Sequence, residues 1–233
     1  EGLAPATGVI RGRLASNVAI REDGIAYVVD VLAGQKTGFY LDQRVNRRIV
    51  REHAAGRRVL NAFCYTGGFT LAAIAGGARE VLSIDSSQAA LAQGRANLAA
   101  NPSLAGVRAR WKDADVFSEL RALRNAGESF DLIVLDPPKF APTAALAAKA
   151  SRAYKDINLL ALKLLVPGGL LATFSCSGGV SQDLFQKIVA GAAVDARTDA
   201  TIVARMQAAP DHPLVLAFPE GEYLKGLLLQ KAG

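Results

Sequence analysis

Cysteine is nearly absent from this chain of 233 residues: Cys64 and Cys176 are the whole complement. Two isolated thiols exclude a disulfide framework and a cysteine-built zinc site, so no metal is expected. Both thiols are expected to be free, and the usual fate of a lone cysteine is that of a small buried hydrophobe. Long apolar runs are lacking too. Apolar residues make up 51% of the chain, but in short stretches broken by Arg, Asp, Gly or Pro, none near the roughly 18–20 residues a bilayer span requires. Glu1–Pro5 leads into polar, Gly-containing sequence rather than a signal segment. These absences predict a cytoplasmic protein with no membrane partner. Charged residues are 21% of the total, which with the apolar content predicts a folded globular chain.

The charge is unbalanced toward the positive, at +6, and arginine-rich. Arg44, Arg47, Arg48, Arg51, Arg57 and Arg58 crowd one stretch. Such a balance favours an anionic partner, of which nucleic acid is the commonest. Arg47, Arg48 and Arg51 fall on an expected helix, where they form either a solvated face or an RNA-contacting one.

Two patterns divide the chain. Residues 1–35 read as β structure, with Asp23-Gly24 between the runs Val18–Ile20 and Ile25–Leu32, a hairpin signal. That piece is too short for a core of its own, and is expected to be the remainder of a central β-rich domain or to pack on the larger C-terminal part of the chain. Residues 36–233 alternate strand and helix. Strands are expected at 57–63, 81–84, 107–111, 131–135 and 170–175. Ser86-Ser87 opens a helix ending near Asn101-Pro102, others run over 116–126 and 144–165, and Ser181 caps one through Val189. Five βα units imply a mostly parallel sheet with helices on both faces. Leu214–Phe218 and Leu224–Gln230, joined without a helix, predict an antiparallel C-terminal hairpin. The resulting α/β architecture, a seven-stranded Rossmann-like sheet, is that of class I S-adenosylmethionine (SAM)-dependent methyltransferases.

In such sheets ligands bind at the carboxyl ends of the strands, so the residues there are the informative ones. The first strand runs into Phe63-Cys64-Tyr65-Thr66-Gly67-Gly68, where glycines permit close approach of a ligand or simply make a tight turn. The dehydrogenase fingerprint G-x-G-x-x-G is missing. Asp85, followed by Ser86, ends the second strand and can accept from both ribose hydroxyls of an adenosine, or merely cap a helix. Asp115, after the third, can accept from an adenine amino group. Asp136-Pro137-Pro138-Lys139-Phe140 follows the fourth; its prolines stiffen the turn that carries the carboxylate. Cys176 stands in Ser175-Cys176-Ser177-Gly178 after the fifth, on a turn where a thiol is accessible. His212, in the last connection, is read as a surface residue.

Lys36–Arg44, Asn61–Thr70, Asp136–Phe140, Thr173–Ser177 and Phe218–Gly226, taken in order, closely resemble the ribosomal RNA large subunit methyltransferase I family. The resemblance runs from about Val9 to the end. It implies SAM-dependent formation of 5-methylcytosine in 23S rRNA, on naked RNA or a ribosome-assembly intermediate, with Cys176 as nucleophile and Asp136 at the base edge. It further implies a cofactor site of Gln43, Arg44, Phe63, Tyr65, Thr66, Gly67, Gly68, Asp85, Ser86, Asp115 and Asp136, and substrate contacts from Pro137, Lys139 and Phe140. Cys64, in the cofactor turn, is expected to be structural. Family members usually carry an N-terminal RNA-binding PUA domain and a longer β-rich central region, whereas this chain begins partway through the latter. Oligomeric state is open, with a homodimer among the options.

Three readings stand. The first is C5-methylation of cytidine through a cysteine adduct. The second is methylation of a nitrogen on another base, because Asp-Pro-Pro is shared with amino-methylating enzymes. The third is an RNA- or SAM-binding module without turnover. A dehydrogenase is disfavoured by the missing glycine fingerprint and the antiparallel tail.

Overall fold

The computed structural model describes residues 8–14, 18–34, 37–140 and 147–233. Glu1–Pro5, Lys36 at the head of the first resembling motif, and the expected helix start at Ala144 lie outside the described residues.

Strands β1 (Val18–Glu22) and β2 (Ile25–Val29) form the antiparallel hairpin, in the register Val18↔Val29 to Glu22↔Ile25. Asp23 and Gly24 both have positive φ, 49° and 86°, the turn geometry whose twist matches paired strands. The hairpin does not stand alone. Ile25, Tyr27 and Val29 bury against Phe39 and Leu71, and Gln93, Asn97 and Asn101 of the main body bond the backbone of β2.

The main body runs α1 (Arg44–Glu52), β3 (Arg58–Ala62), α2 (Gly68–Ala75), β4 (Glu80–Asp85), α3 (Gln88–Ala99), β5 (Arg108–Asp113), α4 (Val116–Asn125) and β6 (Phe130–Leu135). It continues with α5 (Ala147–Leu164), β7 (Leu165–Ser175), α6 (Gln182–Ala196), β8 (Ala200–Gln207) and β9 (Lys225–Lys231). Seven strands make one sheet in the order β5-β4-β3-β6-β7-β9-β8, parallel as far as β7 and antiparallel at β9 and β8. Adjacent residues of β6 feed opposite cores: Ile133 and Leu135 pack with α4, α5 and α6, while Leu132 and Val134 pack with α1 and α2. Burial on both faces is why the parallel strands read as continuous apolar runs. The chain enters the sheet at β3, winds outward through β4 and β5, then crosses back to β6. The crevice between the carboxyl ends of β3 and β6 is therefore the topological switch point where such sheets bind ligands.

Two expectations are corrected. The first strand of the terminal antiparallel pair is Ala200–Gln207, not Leu214–Phe218, which forms no strand and lies exposed, Leu216 completely so. Apolar content picked the wrong segment. β8 is an edge strand that buries only Met206, and β9, with β7 on one side and β8 on the other, has no free edge for a third partner. Also, the helix stops as expected, at Leu164, but the strand expected from 170 already begins at Leu165, so that Val166–Gly169 is an irregularity inside β7. Phe130 pairs with Leu165 and Leu132 with Leu170, the extra residues looping out around Gly168 at φ 72°.

Candidate functional site

A cavity of about 430 Å³ opens at the switch point. Its floor is the turn after β3, where Phe63 and Tyr65 take positive φ, 61° and 47°. Non-glycine residues are seldom held this way outside sites that over-determine them. Asp85 supplies the restraint: Oδ2 accepts from the Tyr65 N–H at 2.8 Å and Oδ1 from the Ser87 N–H at 2.9 Å. Gly67, at φ 82°, is the N-cap of α2 and lies against the Trp111 ring, where a Cβ would come within 2.5 Å of the indole. Thr66 is buried, and its carbonyl accepts from Asn97.

Asp115 ends the β5 connection as the N-cap of α4, its Oδ1 accepting from the Ser118 N–H and hydroxyl at 2.9 and 2.8 Å. Beside it, Phe63, Phe117 and Phe140 meet ring to ring with centroids 5.9–6.4 Å apart, and Phe140 packs at a tilt against buried Tyr154 at 4.8 Å. An apolar slot edged by Asp115 on one side and Asp85 with exposed Ser86 on the other has the character of a nucleoside site. The volume, the acidic groups at the β4 and β5 ends and the glycine-opened turn fit an adenosine-bearing cofactor.

The opposite wall carries Asp136 and Cys176. Gln43, buried in the 3-10 turn before α1, donates its Nε2 to Asp136 Oδ1 at 3.0 Å. Its own Oε1 accepts from Asn46 at 2.6 Å, and Asn46 also donates to the Gln207 carbonyl. Cys176 is a half-buried thiol in no disulfide, and its Sγ lies 3.8 Å from the Pro137 carbonyl. Cys64 is buried, and desolvation pushes its thiol well above the usual range.

The cavity wall thus brings together Gln43, Phe63, Tyr65, Thr66, Gly68, Asp85, Ser86, Asp115, Asp136, Pro137, Lys139, Phe140 and Cys176. Two expected members stand off it. Gly67 acts through the turn's shape, and the Arg44 guanidinium is turned to Asp211 at 3.3 Å. Arg47 lines the cavity instead, buried under the Phe39 ring and joined through two nitrogens to Glu22 of the hairpin at 2.6 and 2.7 Å. Arg48 pairs with Asp23, and Arg51 donates to the Asp23 carbonyl. Arg47, Arg48 and Arg51 thus bind down the hairpin, a use that neither a solvated face nor an RNA-contacting one anticipates. His212 sits at the surface beside Asp211.

Sequence reasoning missed Tyr40, Asp42, Tyr223 and Leu224, all on the wall. Burial raises the Tyr40 phenol to about 12. Tyr223 donates to Asp42 Oδ2 at 2.5 Å, and the Asp42 carbonyl accepts from the Ala209 N–H at 2.9 Å. One residue therefore grips both ends of the exposed connection between β8 and β9. Asp42 lies inside Lys36–Arg44 and Tyr223 inside Phe218–Gly226, so the two segments that carried the resemblance were the available signal.

Comparison with known proteins agrees with this geometry. The profile of a family described as S-adenosylmethionine-dependent methyltransferase matches residues 5–229. The ribosomal RNA large subunit methyltransferase I of Tolumonas auensis is 53% identical over 99% of the chain, which spans 58% of that protein's length. A SAM-dependent methyltransferase structure from Streptococcus mutans superposes with a TM-score of 0.84 at 26% identity, over 95% of this chain and 57% of that one. A methyltransferase solved with S-adenosylhomocysteine superposes at 0.83 with 28% identity, over 95% and 58%.

Proposed function

Because the chain belongs to the S-adenosylmethionine-dependent methyltransferase family, we propose that it methylates carbon 5 of a cytidine in 23S ribosomal RNA, with Cys176 bonding transiently to the base. The substrate class follows the names of its relatives. One observation carries the chemistry: a half-buried thiol and a carboxylate held by a buried amide, Cys176 and Asp136, share one wall of the cavity.

Bound S-adenosylmethionine supplies an electrophilic methyl group. Asp85 and Ser86 are the residues to hold its ribose, Asp115 its adenine amino group, and Gln43 with the turn from Phe63 to Gly68 the remainder. Carbon 5 of cytosine is a poor nucleophile, so the task of the chain is to activate it. The Cys176 thiolate adds to carbon 6, the C5=C6 pair shifts to C4=C5, and negative charge gathers at N3. Asp136 holds or protonates that edge. Carbon 5 of the resulting enamine is nucleophilic enough to accept the methyl group. Loss of the carbon 5 proton to a base restores C5=C6 and expels the thiolate, which splits one hard step into easier ones. Pro137, exposed Lys139 and Phe140, next to Asp136, are the residues to meet the RNA. The place of work is the cytoplasm, on 23S rRNA or an assembly intermediate.

The test is to incubate the protein and its Cys176→Ala variant with labelled SAM and unmethylated 23S rRNA, then identify the product nucleoside. The proposal expects 5-methylcytidine from the wild type only, with SAM binding retained by the variant. An N-methylated nucleoside would replace this reading with amino methylation, and no product at all would leave a binding module.

A further inference from the structure

Lysine is almost never fully buried without a partner, yet Lys225 is 3% exposed. It opens β9, directly opposite Ser175 at the end of β7, and its Nζ donates to the Ser177 carbonyl at 2.8 Å. An ammonium carries three donors, and a neutral carbonyl takes up one of them without neutralising the charge. Between Ser175 and Ser177 stands Cys176. Burial in this apolar neighbourhood lowers the Lys225 ammonium, and the negative charge Cys176 can carry works in the opposite direction.

We propose that Lys225 is the positioning residue of the nucleophile: its bond to Ser177 fixes the turn, and its ammonium is the counter-charge of the Cys176 thiolate. The inference rests on the reading of Cys176 as nucleophile. The other groups around the thiol do not fill this role. Tyr40, Tyr154 and Tyr223 each interact electrostatically with Cys176, and burial raises all three phenols, keeping them neutral. Asp136, on the same wall of the cavity, bears the wrong sign to favour a thiolate. Lys139, on the same cavity wall, is exposed to solvent, and Glu222 acts on Lys225 rather than replacing it. As the sulfur–carbon 6 bond forms, the sulfur loses its negative charge; when the thiolate is expelled, it returns to a waiting cation. A fixed ammonium therefore favours both the attacking and the leaving form of the sulfur.

The experiment is the pH profile of Cys176 alkylation by iodoacetamide, followed by peptide mass spectrometry so that Cys64 is counted separately. Lys225→Gln keeps a donor for Ser177 but removes the charge; Lys225→Met removes both; Lys225→Arg restores the charge. Lys139→Gln controls for loss of an exposed cation. The proposal expects the midpoint to rise by about one pH unit or more in the Gln and Met variants, a tenfold loss of thiolate below the midpoint. Lys225→Arg should recover part of the change, and Lys139→Gln should move the midpoint much less. Thermal melting and SAM binding identify any variant that fails to fold; Lys225→Gln then carries the test if Lys225→Met does not fold. A folded Gln variant with the wild-type midpoint would overturn the proposal. The profile needs no RNA, so a midpoint that moves while no RNA adduct forms would remove the covalent reading and leave the charge pairing standing.

Discussion

Gln43 and Asp136 lie 93 residues apart and meet at 3.0 Å, amide to carboxylate. The bond joins the segment before the sheet to the end of β6, and Asn46 extends it to the last residue of β8. The carboxylate proposed to meet the cytosine edge is thus aimed from two sides, by the stiffness of Pro137-Pro138 and by a buried amide.

Cutting that connection should leave the fold and weaken the chemistry. Gln43→Leu is expected to lower the methyl-transfer rate by about 10- to 100-fold, because small misplacements of a positioning group are costly in rate. Single-turnover kinetics beside circular dichroism checks it. An unchanged rate would mean that Asp136 needs no such support.

Arg47 and Glu22 form a buried bidentate pair between α1 and the hairpin. Removing one partner strands a charge, so Glu22→Gln or Arg47→Met should each destabilise the protein by about 3–5 kcal/mol. Replacing both with apolar residues should cost less than the two single losses added. Urea unfolding of the three variants measures the difference.

Asp23 gives the hairpin a pH dependence. Its hydrogen bond to Arg48 holds the carboxyl below the ordinary 3.8. A lowered folded value means stability fully present above 3.8 and lost as pH falls through the lower, folded value. Arg48→Met should flatten this part of the acid-unfolding curve. The effect is small because both groups reach solvent.

Asp42 holds both the Ala209 N–H and the Tyr223 hydroxyl at the neck of an exposed apolar connection. Tyr223→Phe frees one side of that neck. Chymotrypsin cleavage within Leu214–Phe218 is expected to accelerate several-fold, with methyl transfer falling alongside it. Equal cleavage rates would show that the neck is held by other contacts.

The strand-end residues were legible because a doubly wound sheet places functional groups where strands stop, and a stop shows in sequence as Asp85, as Asp136-Pro137-Pro138 or as Ser175-Cys176-Ser177. The hairpin was legible because Asp23-Gly24 carries its own turn geometry. Hidden were features made only by distant pairing. Ala200–Gln207 becomes a strand through β9 rather than through its own apolar content. Arg47 looks like any surface arginine until Glu22 arrives beneath it, and Lys225 reads as a polar strand residue until the sheet closes over it. Tyr223 and Asp42 meet across 181 residues, with no local signal linking them.

The central claim is that Cys176 attacks the base. The most direct measurement is intact-mass analysis of the protein after incubation with SAM and 23S rRNA transcribed with 5-fluorocytidine, in which the carbon 5 proton is replaced and elimination is blocked. The account predicts a stable protein–RNA adduct, mapped to Cys176 after nuclease and protease digestion and missing in Cys176→Ala. Turnover of unsubstituted RNA to 5-methylcytidine by the Cys176→Ala variant, or an adduct on any other residue, would contradict it.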